Sequence, residues 1–174
     1  PIAFALESQI LLAAGHEEEA IGQAKKALDL DQDFWVAHFH LGNAYVRLKR
    51  YEEAIASFEK ARQLAPETPI PEIYLARVFL VRGDHKKALA IVSELERQGG
   101  LDRLRSLRPA ILVSIYSGLG EKVRALDLLE RALEERESFQ IDIKDPLFDN
   151  LRSEPRFQNI MKRQNILKGM NVDK

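Results

Sequence analysis

The chain has 174 residues, 45% of them hydrophobic, and its 26 Lys and Arg nearly balance its 27 Asp and Glu. A net charge near zero gives no electrostatic reason to expect nucleic acid as a partner of this segment, and no apolar run approaches the roughly 18 residues that span a bilayer. The sequence has no cysteine, which excludes disulfides and thiol chemistry and favours a cytoplasmic location.

Small and aromatic residues recur along the chain at a spacing of 34 positions. The matching sets are Ala20, Ala54 and Ala88, then Leu11, Tyr45 and Phe79, then Gly15, Lys49 and Gly83. A fourth copy follows after a slip of three residues, with Ala125 standing 37 positions after Ala88. Self-similarity at this period predicts an all-α protein, a right-handed α-solenoid of about four helix-turn-helix repeats.

Each copy has the pattern of two amphipathic helices joined by a tight turn. In the second copy, apolar residues recur every three to four positions on two helical faces. These residues are Leu41, Tyr45 and Leu48 on the first helix and Ala54, Phe58 and Ala61 on the second. The predicted repeats cover 1–34, 35–68, 69–102 and 106–136.

Beyond Glu137 the repeat pattern ends, and the sequence predicts C-terminal capping helices over 137–167. Asp145 to Asp149 is expected to start a short helix, because Pro146 suits an early helical position. A second helix should carry Phe157, Ile160 and Met161 on one face, covering the apolar face of the last repeat. The polar residues 168–174 are expected to form a frayed tail.

The second copy resembles the tetratricopeptide repeat family. The residues that carry the resemblance are Leu41, Gly42, Tyr45, Ala54, Phe58, Ala61 and Pro66. The chain from about Ile111 to Ile166 also resembles the C-terminal ends of large bacterial regulatory proteins, in which a repeat array follows a cyclase, kinase or winged-helix domain. That second resemblance implies a sensor or docking role within a larger protein.

The family resemblance implies that the first helix of each repeat lines a concave groove. Eight positions are expected to form its partner-binding part, namely Phe39, His40, Asn43, Arg47, Ile73, Tyr74, Arg77 and Leu80. Asn43 is suited to hydrogen-bond a peptide backbone, and Arg47 and Arg77 are suited to engage carboxylates. Apolar members of the set are suited to hold anchor side chains.

These features predict a protein–protein interaction module that takes a peptide or a partner's helix, with acidic residues and apolar anchors, into the groove. The alternative is an intramolecular regulatory or self-association domain, including a homodimer, with no separate peptide ligand. The two differ in whether the mass in solution depends on concentration.

No enzyme, metal or cofactor is expected. His38 and His40 lie two positions apart on a predicted helix, so they point to different faces and do not form a metal-binding pair. The sequence contains no glycine-rich phosphate loop, nucleophile elbow or H-E-x-x-H motif.

Overall fold

The structure, a computed structural model, describes residues 1–101, 109–134 and 145–170, and within these residues every regular element is helical. The helices are α1 (Ile2–Ala14), α2 (Glu17–Leu30), α3 (Trp35–Arg47), α4 (Tyr51–Leu64), α5 (Ile70–Val81), α6 (His85–Arg97), α7 (Pro109–Gly118), α8 (Lys122–Glu134), a 3₁₀ turn (Pro146–Phe148) and α9 (Pro155–Met170). None of the helices formed by these residues is long and apolar enough to cross a membrane.

The helices stack in pairs along one direction. Each helix from α1 to α5 packs against the next in the chain, and α7 packs against α8. The odd-numbered helices also touch across pairs, α1 against α3 and α5 against α7. Helices α1, α3, α5 and α7 therefore form one layer and α2, α4, α6 and α8 the other, which confirms the predicted all-α solenoid.

The residues that recur in the sequence form the contacts within and between the pairs. Ala20, Ala54, Ala88 and Ala125 are all completely buried. A methyl-sized side chain lets neighbouring backbones approach closely, and a larger one would have to displace packed atoms. Gly42 serves the same purpose, since a Cβ built on it would lie 2.6 Å from the buried ring of Phe58.

The turns between paired helices share one backbone geometry. In each, the amide after the left-handed residue donates to a carbonyl five positions earlier, as in the Schellman motif. The bonds run from His16 to Leu11, Arg50 to Tyr45, Asp84 to Phe79 and Glu121 to Tyr116, at 2.8–2.9 Å. Glycine occupies the left-handed position in three of these turns. In the turn between α3 and α4 the position is occupied by Lys49, with φ 59°.

The first pair departs from the pattern at Glu7. This side chain is exposed, whereas Leu41 and Leu75, at the equivalent positions, are buried. The next residue, Ser8, is completely buried and donates from its hydroxyl to the Ala20 carbonyl at 2.8 Å. A hydrogen bond between α1 and α2 thus takes part in the packing of the first pair.

Two aromatic residues and one arginine of the C-terminal segment contribute to its packing on the last pair. Phe148 in the 3₁₀ turn and Phe157 in α9 are both buried, with ring centroids 6.2 Å apart. Arg156 bonds Asp127 and Glu130 of α8 at 2.6 Å.

Helix α9 continues to Met170, so residues 168–170 are helical where the sequence predicted fraying. Residues 171–174, the register slip within 102–108 and the start of the predicted cap in 137–144 lie outside the described residues.

Candidate partner-binding cleft

A cleft of about 700 Å³ lies along the layer of odd-numbered helices. Its walls are one face each of α3, α5 and α7, the turn after α3, and the 3₁₀ turn. Four of the eight residues singled out in the sequence line it: Asn43, Arg47, Tyr74 and Arg77. They come together because residues three or four apart share a helix face, and α3 and α5 turn these faces to the same side.

The other four residues of the set lie in the core. Ile73 is 0% exposed, and Phe39, His40 and Leu80 are also buried. Phe39 sits among aromatic rings, 4.9 Å from Tyr74 and 5.7 Å from Phe58 between centroids. The prediction that Phe39, Ile73 and Leu80 offer anchor surface does not fit this placement, because their side chains fill the contacts between neighbouring helices.

The α3 end of the cleft is open and cationic. Arg47 is half exposed and lies 3.5 Å from Glu17, a loose ion pair. Lys49, held in the left-handed turn, is exposed and lines the same end. Asn43 donates one amide hydrogen to the Phe39 carbonyl at 3.0 Å, which leaves its second amide hydrogen for a ligand.

The other end of the cleft is occupied by the chain's own C-terminal segment. Arg77 forms an ion pair with Asp145, a residue 68 positions later, and both side chains are largely buried, at 22% and 10% exposed. Asp145 also accepts from the Leu147 amide at 3.0 Å and so caps the 3₁₀ turn. The guanidinium of Arg77 is therefore already engaged by a carboxylate of the same chain.

Helix α7 holds the same segment through Ser117 and Asn150. The completely buried Ser117 hydroxyl donates to the Leu147 carbonyl, and the Asn150 amide donates back to the Ser117 carbonyl at 2.8 Å. A Cβ built on Gly118 would lie 2.9 Å from the Leu147 side chain, so a larger residue there would have to displace Leu147. These contacts fix the 3₁₀ turn as a wall of the cleft.

Sequence reasoning missed Asp145, Pro146 and Phe148 as cleft residues. The pattern around Asp145 indicated a helix start, and it gave no sign that this start folds back between α5 and α7. Within the described residues, no group of three or more histidine, aspartate or glutamate side chains is placed to hold a metal ion.

Paired antiparallel helices stacked in a row, with a cleft along one layer, define the chain as a helical-repeat solenoid. Residues 35–68 match the family model of the tetratricopeptide repeat. The chain therefore contains a tetratricopeptide repeat and has the fold of tetratricopeptide-repeat proteins, as its sequence predicted.

Solved structures show the same fold at low sequence identity. The crystal structure of MamA has a TM-score of 0.56 at 17% identity and covers 96% of this chain and 97% of that chain. The crystal structure of YrrB, described as a TPR protein with an unusual peptide-binding site, has a TM-score of 0.53 at 20% identity and covers 92% and 82%.

Two human proteins are similar in sequence over most of this chain. Superkiller complex protein 3 of Homo sapiens is 28% identical over 127 residues, 71% of this chain and 8% of that protein. Protein O-mannosyl-transferase TMTC1 of Homo sapiens is 31% identical over 128 residues, 70% of this chain and 13% of that protein. The chain thus spans only a small part of the length of these relatives.

Proposed function

We propose that the chain is a protein–protein interaction module that takes a peptide or a partner's helix into the cleft along α3, α5 and α7. The observation that carries this proposal is the cleft itself, whose volume of about 700 Å³ lies within the range of ligand-binding sites. The tetratricopeptide-repeat fold and the peptide-binding site of YrrB support it.

The residues at the open end of the cleft determine which kind of ligand fits it. Arg47 and Lys49 supply positive charge there, and Asn43 supplies an amide that donates and accepts hydrogen bonds. Tyr74, Val46 and Ile111 provide aromatic and aliphatic surface between these groups. An extended or helical peptide that carries acidic residues beside an apolar anchor fits this arrangement.

The chain's own 3₁₀ turn illustrates the same pattern. It presents an aspartate to Arg77 and, within the next three residues, the buried side chains of Leu147 and Phe148. A ligand that enters at Arg47 and Lys49 would run toward this turn and meet it near Tyr74. The ligand's carboxylates pair with Arg47 and Lys49, since Arg77 is engaged.

A peptide-display selection on the immobilised chain tests the proposal. We expect selected peptides to be rich in aspartate and glutamate around one large apolar residue, and to lose about tenfold or more in affinity on Arg47→Glu or Tyr74→Ala. The matched control is Arg131→Glu, which reverses a charge on the exposed surface of α8 away from the cleft.

Fluorescence anisotropy with each selected peptide measures the affinities. Equal binding to the wild type, the cleft variants and the control would contradict the proposal, and so would a selection that enriches nothing. Circular dichroism of each variant shows that the helical fold is retained.

The resemblance of the C-terminal tail to bacterial regulatory proteins supports a finer proposal, that the module serves inside a larger protein of that kind. In this setting, the partner bound in the cleft would be the signal or the docking target. A cytoplasmic location, expected from the absence of cysteine, belongs to the same proposal.

A further inference from the structure

The far end of the cleft holds the residues Asp145 to Leu147, called the internal segment below, through contacts of the kind that proteins use to bind peptides. Arg77 of α5 pairs with the Asp145 carboxylate, and both side chains are largely buried. Ser117 of α7 donates its hydroxyl to the Leu147 carbonyl. The arginine recognises a charge, and the bond to the main chain fixes the register of the segment that carries it.

An apolar space between α5 and α7 receives the last residue of the internal segment. Leu147 is 8% exposed, and its side chain lies 2.9 Å from a Cβ position built on Gly118. The side chain of Leu80 on α5 lies 3.0 Å from the same position. The glycine therefore leaves the space that Leu147 fills. A carboxylate followed two positions later by a leucine is the pattern that this end of the cleft holds.

The internal segment lies in the cleft, whereas the helix that follows it is attached elsewhere. Asp145 lines the same cavity as Arg47. Glu154, just before α9, accepts from Lys122 of α8 at 2.7 Å, and Arg156 of α9 bonds two carboxylates of α8. None of these contacts includes the internal segment, so α9 stays on α8 when the segment leaves the cleft.

Phe148 marks the boundary between the two attachments. Its buried ring stacks on Phe157 of α9, with 6.2 Å between the centroids. The residues before it contact α5 and α7 instead. A change of backbone conformation next to Phe148 is therefore enough to release the internal segment while the ring keeps its place.

We propose that the internal segment is a built-in ligand of the cleft, and that a partner's peptide displaces it by offering the same pattern, a carboxylate two positions before a leucine. This inference rests on the proposed function, because it names the contacts that the bound peptide makes at the far end. Displacement frees Arg77, so the peptide then extends from Arg47 to Ser117. A segment linked to its own site competes at an effective concentration on the order of millimolar, and a partner must exceed that competition.

Titration of the isotope-labelled full chain with the peptide acetyl-Asp-Pro-Leu-Phe-Asp-Asn-amide, followed by NMR, tests this proposal. The peptide repeats residues 145–150 of the chain. We expect binding to the wild type in the millimolar range, and binding about tenfold tighter to Asp145→Asn. Asparagine keeps a side-chain oxygen that caps the turn but lacks the charge that Arg77 holds, so it weakens the competitor and leaves the binding site intact.

Two further variants separate competition from a general loosening of the fold. Asp149→Asn is the matched control, since Asp149 is 65% exposed and pairs with Arg152. It should bind the peptide like the wild type. In an Arg77→Gln background, Asp145→Asn should give no gain in affinity, because the charge for which the two carboxylates compete is absent. Circular dichroism of each variant checks that the helices are retained.

The amides of Leu147 and Phe148 report displacement directly. Both donate to Asp145, so their hydrogen exchange should accelerate when the peptide is bound to the wild type. Equal affinities of the wild type and Asp145→Asn, binding to neither, or bound peptide that leaves both amides protected would each overturn the built-in ligand. Display-selected peptides that depend on Arg47 and Tyr74 would still support the proposed function in that case, because they bind at the open end.

Discussion

At the scale of single residues, Lys49 has a left-handed backbone conformation that its Cβ disfavours. The four inter-helix turns have the same hydrogen bonds, and three of them place glycine at the left-handed position. Lys49 adopts the same conformation with φ 59° although its Cβ opposes it. The turn geometry is therefore imposed by the packing of α3 on α4 and not by the local residue.

The substitution Lys49→Gly should stabilise the chain by about 0.5–1 kcal/mol. It removes the steric cost of a left-handed L-residue, which exceeds the extra backbone entropy that glycine loses on folding. Urea unfolding followed by circular dichroism measures the change. The control Lys49→Ala removes the same charge but keeps the Cβ, so a gain equal to that of glycine would show that charge and not backbone strain is responsible.

At the scale of helices, the sequence predicts the features that recur in every repeat and misses the features that occur once. The buried alanines and the four turns were predictable, because each recurs at a fixed spacing and each copy supports the interpretation of the others. Which of the candidate residues line the cleft and which lie in the core was not predictable. Phe39 and Asn43 lie one turn apart on α3, yet Phe39 faces the neighbouring helices and Asn43 the cleft.

The ion pair between Arg77 and Asp145 shows most clearly what could not be predicted from the sequence. Its partners lie 68 positions apart, and no repeat relates them. Only the folded chain shows that the 3₁₀ turn reaches α5. The residue that the sequence offered for a partner's carboxylate is in fact the residue that holds the chain's own C-terminal segment.

The substitution Arg77→Gln should therefore loosen the 3₁₀ turn. It leaves the Asp145 carboxylate in a largely buried position without its guanidinium partner, at a cost of about 1–2 kcal/mol, between the values for exposed and buried pairs. Amide hydrogen exchange should accelerate about tenfold at Phe148, Leu151 and Arg152, whose amides are bonded within this segment.

The comparison variant for this prediction is Arg47→Gln, which loses only a half-exposed ion pair of 3.5 Å. Its exchange in the 3₁₀ turn should match that of the wild type. If Arg77→Gln also leaves these amides unchanged, the ion pair does not hold the segment. The double variant with Asp145→Asn should show less than the sum of the two single effects, because both act on one interaction.

At the scale of the whole molecule, the described helices contact only near neighbours along the stack. In such an array, stability is close to a sum of unit and interface contributions, so damage at one point need not spread evenly. Phe58 of α4 joins two repeats. It is completely buried beneath Gly42 and contacts the rings of Phe39 on α3 and Tyr74 on α5.

The substitution Phe58→Ala should cost about 3–5 kcal/mol, because it leaves a cavity where three helices meet. Hydrogen exchange followed by mass spectrometry should then show fast exchange over α3, α4 and α5, with α8 and α9 less affected. Ile160→Ala removes a buried side chain from α9 at the far end of the stack. It should accelerate exchange in α8 and α9 and leave α3 close to the wild type. Uniform acceleration along the chain in both variants would show that the stack unfolds as one cooperative unit, in which every interface depends on every other.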